Sequence, residues 1–87
     1  MSFAVAWHPP AASDLLNIPW QDAAWIVREV SKLAEDGTGD VRGAVLPSGR
    51  RVFLLGLLGI RVVVSFDRVA RIVHVWRVWR SIRPVRP

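Results

Sequence analysis

The hydrophobic pattern of this 87-residue chain changes its period near residue 40. Before that point, apolar residues recur every three or four positions, which predicts amphipathic helices. After it, β-branched runs alternate with turn residues, which predicts a succession of strands. A chain of this length has room for one domain. The order of the two patterns therefore predicts an α+β fold in which helices cover one face of a sheet.

Two helices are predicted in the first half of the chain. The clearer one spans 20–35, where the apolar positions at helical spacing are Ala23, Ile26, Val27, Val30, Leu33 and Ala34. A shorter helix is predicted over 11–18, and the short link ending at Pro19 makes the pair an antiparallel hairpin. Gly37 suits the left-handed position that ends many helices. Trp25 lies on the polar side of the longer helix, where it either packs under the shorter helix or contacts a partner.

The second half predicts a meander of four strands joined by short turns, over 41–46, 50–57, 60–66 and 71–79. The third of these is apolar on both faces and is expected at the centre of the sheet. A strand over 2–7 ends at two prolines, which cannot donate to a ladder, and is expected at an edge. We therefore expect an N-terminal strand and a two-helix hairpin packed on one face of a small antiparallel sheet. This domain would span 1–80, followed by a loose basic tail over 81–87.

Charge is divided unequally between the two halves. Residues 1–40 carry six acidic side chains against Arg28 and Lys32, whereas residues 41–87 carry ten arginines against Asp67. Arginine makes bidentate contacts with phosphate, so the basic half is predicted to be the surface that meets a polyanion. A genome rich in G and C would also favour arginine over lysine, but it would not separate the charges by half.

Cysteine is absent, which excludes disulfides, thiolate zinc sites and cysteine nucleophiles. This composition predicts a cytoplasmic protein. The longest apolar run, 52–60, is too short to span a membrane, and the N-terminus lacks the basic region of a signal peptide. Two histidines with no third ligand at suitable spacing predict no metal site, and no motif predicts a cofactor.

A set of short patterns occurs in a characteristic order along roughly residues 3–80. The N-terminal patterns are Trp7-x-Pro9, Ala12-x-Asp14-Leu15-x-x-Ile18-Pro19 and Leu33-Ala34. The later ones are Ser48-Gly49-Arg50-Arg51-Val52-Phe53, Gly59-Ile60-Arg61-Val62-Val63-Val64 and Asp67. With these residues in this order, the chain resembles the RelE/ParE superfamily of toxins from type II toxin–antitoxin systems.

This resemblance implies two alternative activities. Members like RelE are metal-independent endoribonucleases that cleave messenger RNA on the ribosome and so inhibit translation. By resemblance, their phosphate-binding arginines correspond to Arg61 and to either Arg80 or Arg77. Where those members often have lysines, this chain has Val52 and Leu54, and it has no counterpart of their C-terminal tyrosine. Members like ParE, which inhibit DNA gyrase without being enzymes, do not need that set. A third alternative, independent of the family, is a small basic protein that binds nucleic acid through its charge.

Further candidate residues lie on the predicted strands. Arg50 and Arg51 are adjacent and point to opposite faces, so at most one belongs to a site. Arg77 and Arg80 also point to opposite faces unless a bulge intervenes. Trp76 and Trp79, interleaved with these arginines, are candidates for stacking on RNA bases.

His74 is the candidate acid or base, because imidazole titrates near neutral pH. The alternative is a partly buried or surface histidine of the strand with no catalytic role. His8 is a weaker candidate.

The expected partners follow from the resemblance. They are a cognate antitoxin with an acidic or amphipathic segment, and either the ribosome with its messenger RNA or DNA gyrase. We expect a toxin–antitoxin hetero-oligomer or a homodimer, with the free edge of the N-terminal strand as one dimer contact. No membrane partner is expected.

Overall fold

The structure, a computed structural model, describes residues 2–80. Its elements, in chain order, are β1 (Ala4–Trp7), α1 (Pro9–Leu16), α2 (Trp20–Asp36), β2 (Asp40–Val45), β3 (Arg51–Leu57), β4 (Ile60–Asp67) and β5 (Ile72–Arg80). The α+β prediction is confirmed, and each predicted element is present with bounds shifted by two residues or fewer. The predicted tail over 81–87 lies outside the described residues.

One five-stranded sheet has the order β1-β5-β4-β3-β2. The four strands of the meander are antiparallel, and β4 is central as predicted. The prediction of an antiparallel sheet needs one correction, because β1 pairs with β5 in parallel and the sheet is mixed. The physical reason is that no hairpin turn joins β1 to β5, so nothing local fixes the direction of β1.

The two helices bury one face of the sheet. Residues of α2 at helical spacing, Ile26, Val30, Leu33 and Ala34, are buried against the side chains of β3, β4 and β5. Gly37 ends α2 in the left-handed conformation with φ of 79°, as predicted, and its N–H donates to the carbonyl of Leu33. Trp25 is partly buried against this core. Within residues 2–80, neither helix is long and apolar enough to cross a membrane.

No described helix lies on the opposite side of the sheet, which we call the open face. The strand registers assign to it Arg42, Leu54, Arg61, Val63, Ser65, His74, Arg77 and Trp79, together with Val52 and Trp76. Val52 and Val63 are buried although they lie outside the core that the helices cover. The open face therefore has an apolar floor between polar residues at its two ends.

A bulge changes the direction of side chains along β5. The pairing register with β4 shifts between Val63 and Val64, which leaves Trp76 as the extra residue of β5. Val75 and Val78 consequently both face the helices, although they are three positions apart. Beyond the bulge, Trp79 returns to the open face and Arg80 points to the helix side.

The carboxylate of Asp14 attaches α1 to β5. β1 covers the outer edge of β5 only as far as Val75, so the N–H of Val78 has no strand beside it. That N–H donates to Oδ2 of Asp14 at 2.8 Å, and the guanidinium of Arg77 donates to both carboxylate oxygens, at 2.8 and 3.2 Å. The hydrogen bonds from Arg77, followed by the one from Val78, lower the pKa of Asp14.

The packing of α2 predicts a difference between two valines of that helix. Val30 is fully buried, whereas Val27 is 41% exposed. We expect Val30→Ala to lower the free energy of unfolding by about 2–3 kcal/mol, from lost burial and the cavity left behind. Val27→Ala should cost less than about 1 kcal/mol, and both substitutions gain the same helix propensity. Urea unfolding measures both, and equal losses would contradict the packing described.

The contacts of Asp14 predict a pH dependence of stability. Because its pKa is lower in the folded state than in the unfolded state, the contribution of Asp14 is present above about pH 4 and is lost as the pH falls further. We expect Asp14→Asn to cost about 1 kcal/mol near pH 7. The difference in free energy of unfolding between Asp14→Asn and the unsubstituted protein should shrink between pH 4 and pH 2. Urea unfolding at a series of pH values measures this difference.

Glu35→Gln, which neutralises an exposed carboxylate elsewhere on the helices, is the control. Its effect on the free energy of unfolding near pH 7 should be within about 0.5 kcal/mol. If the loss of unfolding free energy in Asp14→Asn stays constant down to pH 2, that result would be evidence against the charge-assisted contact.

Candidate nucleic-acid interface

Arg61 lies at one end of the open face, directly after the turn between β3 and β4. Gly59 makes that turn possible with φ of 72°, a conformation that favours glycine. Arg61 is half-buried, and its Nη1 donates to the carbonyl of Ile60. It borders a cavity of about 540 Å³ whose other lining residues are Asp40, Arg42, Leu54, Gly56, Leu57 and Leu58.

Two opposite charges meet above Gly56 in this cavity. A Cβ atom placed on Gly56 would lie 3.3 Å from Oδ2 of Asp40 and 4.0 Å from Nη1 of Arg61. The other carboxylate oxygen of Asp40 lies 3.8 Å from Nε of Arg42. A side chain at this position would be tight against the Asp40 carboxylate, which would have to shift by a few tenths of an ångström. The cavity combines two guanidinium groups, which suit an anion, with one carboxylate.

A compact cluster of side chains occupies the other end of the open face. Nε2 of His8, the residue between β1 and α1, lies 2.8 Å from Nδ1 of His74. The His8 ring stacks on Trp76 with centroids 3.9 Å apart, and the indole N–H donates to the hydroxyl of Ser65. The guanidinium of Arg50 lies 4.7 Å from the centre of the same indole. We call these five residues the histidine cluster.

The two ends are separated along the sheet. Ser65 pairs with His74 and Arg61 pairs with Trp79, and Ser65 and Arg61 are four positions apart on β4. At the usual strand rise this places them about 13 Å apart. Val52 and Leu54 form part of the apolar floor between them. Arg61 and His74 therefore do not converge on one phosphate, but they can contact different nucleotides of one extended strand.

The strand registers divide the candidate residues further. Arg50 is on the side of the open face and Arg51 on the side of the helices, the alternation that their adjacency predicts. Trp79 is 43% exposed on the open face. Trp76 carries both His8 and Arg50, so a base could stack on it only by displacing one of them.

Arg77 and Arg80 both bind acidic residues of the helices. By its register with Val63, Arg77 lies on the open-face side of β5, and its guanidinium reaches past the outer edge of the strand to Asp14. Arg80 points to the helix side, as expected for two residues three positions apart in a regular strand, and its Nη2 donates to Oδ2 of Asp22 on α2 at 2.7 Å. Arg80 pairs with Ile60 in the sheet, next to Arg61, yet its guanidinium is directed away from the open face.

The sequence did not identify two residues of the open face as important. Asp40 follows a glycine-rich turn and was assigned no role, and His8, which precedes two prolines, was only a weaker candidate. One sequence signal could have identified His8. Side chains of a strand alternate between its two faces, so His8 lies on the same side of the sheet as Ala4 and Ala6 and opposite to Trp7. Its contact with His74 depends on the parallel pairing of β1, which no local pattern predicts. Among residues 2–80 there is no group of three side chains that could hold a metal ion.

Chemically, the open face offers cations at both ends, an exposed indole at Trp79 and a pair of imidazoles. Among the described residues, Arg50 and Arg61 make no ion pair with an acidic side chain. Such a surface can hold phosphates, stack on a base and exchange a proton through an imidazole.

Comparison with solved structures finds four similar chains, including two from toxin–antitoxin complexes. The first belongs to the crystal structure of the toxin–antitoxin complex RelBE2 from Mycobacterium tuberculosis. It has a TM-score of 0.79 and 17% sequence identity, over 92% of this chain and 99% of the matched one. The second belongs to the archaeal RelE–RelB complex from Pyrococcus horikoshii OT3. It has a TM-score of 0.77 and 15% identity, over 97% of this chain and all of the matched one.

Comparison of the sequence alone finds less: no protein-family model and no curated protein matches this chain. At identities of 15–17%, the structural likeness establishes the fold and leaves the activity to be argued from the site. The predicted packing of two helices on one face of a sheet is confirmed, and this protein has the α+β fold found in RelBE toxin–antitoxin structures.

Proposed function

We propose that this protein is the toxin of a type II toxin–antitoxin system and that it inhibits translation by cleaving messenger RNA on the ribosome. The observation that supports this most is the composition of the open face. One uncovered surface carries Arg61, Trp79, His74 and Arg50, which are side chains suited to phosphate, base and proton transfer. The RelBE complexes that share the fold support the toxin–antitoxin assignment.

Cleavage of RNA through its own 2′-hydroxyl needs three groups. A base accepts the hydroxyl proton, cations stabilise the charge that develops on the phosphate, and an acid protonates the leaving oxygen. Arg50, beside the histidine cluster, supplies the cation for this phosphate, and Arg61 holds another phosphate of the same strand at the opposite end of the open face. His74 is the candidate base, and Trp79 is the candidate platform for a base of the RNA. The proposal requires no metal ion or cofactor.

The proposal gives Arg61 a stronger role than Arg80. Arg61 faces the cavity on the open face, whereas Arg80 pairs with Asp22 on the helix side. Arg80 can contact a phosphate held by Arg61 only after leaving that carboxylate. In the same way, Arg77 and Arg51 contribute to the field around the RNA and not to its direct contacts.

The proposed antitoxin neutralises the open face. A segment that carries acidic residues would pair with Arg42, Arg50 and Arg61, and apolar residues would cover the floor at Leu54. Such a segment excludes RNA by occupying its site. We further propose a toxin–antitoxin hetero-oligomer as the resting state, with the outer edge of β1 as the contact for any homodimer.

A second candidate function of this protein is inhibition of DNA gyrase, the activity of members like ParE. It is favoured by the burial of Val52 and the half-burial of Leu54, which leave an apolar floor where members like RelE often have lysines. The exposed side chains of Trp79 and Leu58 would then be contacts with a protein partner. In this alternative the histidine cluster has no chemical role.

The RNA-cleavage proposal predicts the effect of removing Arg61. Purified protein added to a reconstituted translation reaction should generate new 5′ ends in the messenger RNA, and only when ribosomes are present. Loss of one charged contact to phosphate should lower the cleavage rate of Arg61→Ala by about 10- to 100-fold. Mapping of 5′ ends over time measures this rate.

Arg68→Ala is the matched control, because Arg68 is exposed in the turn between β4 and β5, away from the open face. It removes the same charge and should keep the rate within about two-fold. Equal losses in both variants would show that net charge matters and Arg61 does not. Intact messenger RNA with normal translation would overturn the nuclease proposal, and inhibition of gyrase supercoiling by the same preparation would support the second candidate.

A further inference from the structure

His8 stands at the corner where the chain leaves β1 and enters α1. Its backbone N–H donates to the carbonyl of Val75, so the residue continues the pairing of β1 with β5 by one step. Its side chain does not cap α1, although it occupies the N-cap position. The imidazole instead extends across β5 to His74, over a separation of 66 residues in sequence.

Contacts on more than one side fix the His8 ring. Stacking on Trp76 at an interplanar angle of 19° sets the plane of the ring. The 2.8 Å contact between Nε2 of His8 and Nδ1 of His74 sets its rotation. Trp76 is itself held by its hydrogen bond to Ser65. A half-buried ring restrained in this way is suited to orienting its neighbour.

The contact between the two rings requires one proton shared by two nitrogens. If Nδ1 of His74 carries that proton, it donates to Nε2 of His8, and Nε2 of His74 keeps a lone pair. This tautomer can accept a proton, whereas the opposite one cannot. The charged group that faces the pair is Arg50, which approaches Trp76 from the residue before β3. The groups contributed by β4 and β5, Ser65 and Trp76, are neutral.

We propose that His8 is a positioning residue that holds His74 in the tautomer able to accept the proton of an RNA 2′-hydroxyl. This inference rests on the proposed RNA cleavage. The 2′-hydroxyl proton moves to Nε2 of His74, the 2′ oxygen forms a bond to phosphorus, and the bond from phosphorus to the 5′ oxygen breaks. Water protonates the leaving 5′ oxygen, and the product strand ends in a 2′,3′-cyclic phosphate. Arg50 is the cation nearest to this reaction.

The step places the cleaved bond at the histidine cluster, and Arg61 binds the same strand about 13 Å away along the sheet. This arrangement assigns the two ends different kinetic roles. His8 and His74 act on the rate of the chemical step, and Arg61 acts on the binding of RNA. A role in packing alone would make His8 matter for stability and leave the kinetics of the folded protein unchanged.

Two variants of His8 separate positioning from packing. His8→Phe keeps a flat ring that can stack on Trp76 and removes the nitrogen that contacts His74. We expect a single-turnover cleavage rate at saturating toxin that is lower by about 10- to 100-fold, with the half-saturating concentration unchanged. His8→Gln places an amide near the position of Nε2 and should recover the rate to within about five-fold of the unsubstituted protein.

An NMR measurement tests the tautomer without any RNA. Long-range proton–nitrogen correlation spectra of the free protein at pH 8 should show neutral His74 protonated at Nδ1. In His8→Phe that preference should be lost. A His74 protonated at Nε2 in the unsubstituted protein would overturn the inference, because that nitrogen could not accept a proton.

The outcomes also separate this inference from the proposed function. Cleavage that remains unchanged in folded His8→Phe would overturn the role of His8 and leave RNA cleavage established. A drop in rate that His8→Gln does not recover would likewise overturn it. If the unsubstituted protein cleaves no RNA on ribosomes, both proposals fail together.

Discussion

The outer edge of β5 is the constraint on which the rest of the structure depends. β1 can pair with only the first part of β5, because Pro9 and Pro10 end the strand and cannot donate hydrogen bonds. The N–H of Val78 beyond it needs an acceptor, since an unpaired backbone group is costly to bury. Asp14 supplies that acceptor from α1. The position of α1 against the sheet is therefore set by a hydrogen bond as well as by apolar packing.

This arrangement also decides what the charges do. Two acidic residues of the helices, Asp14 and Asp22, pair with Arg77 and Arg80. Two arginines of the basic half are thus used to hold helices and sheet together. Among residues 2–80, Arg50 and Arg61 lie at opposite ends of the open face without an acidic partner. A count of charges along the sequence overstates the basic surface and does not reveal this division.

Local patterns were sufficient to predict most of the fold. The period of apolar residues predicted α2, the alternation of strands predicted the opposite directions of Arg50 and Arg51, and Gly37 marked the end of a helix. The features that the sequence did not predict are set by contacts between residues far apart in the chain. The parallel direction of β1 and the contact of His8 with His74 depend on residues far apart in sequence. The bulge at Trp76 redirects Arg77 and depends on how β5 fits both β4 and the helices.

The separation of the two sheet faces allows the fold to be shared without the site. The helix side holds the apolar core, and its side chains must pack closely for the domain to be stable. The open face contributes little to that packing beyond its floor, so its polar residues can change without loss of the fold. Structures with 15–17% identity can therefore share this architecture while differing in the residues that meet a partner. In this chain, apolar residues occupy the middle of the open face, and the polar side chains lie at its two ends. A ligand that contacts both ends must therefore be extended, a condition that the proposed RNA strand meets.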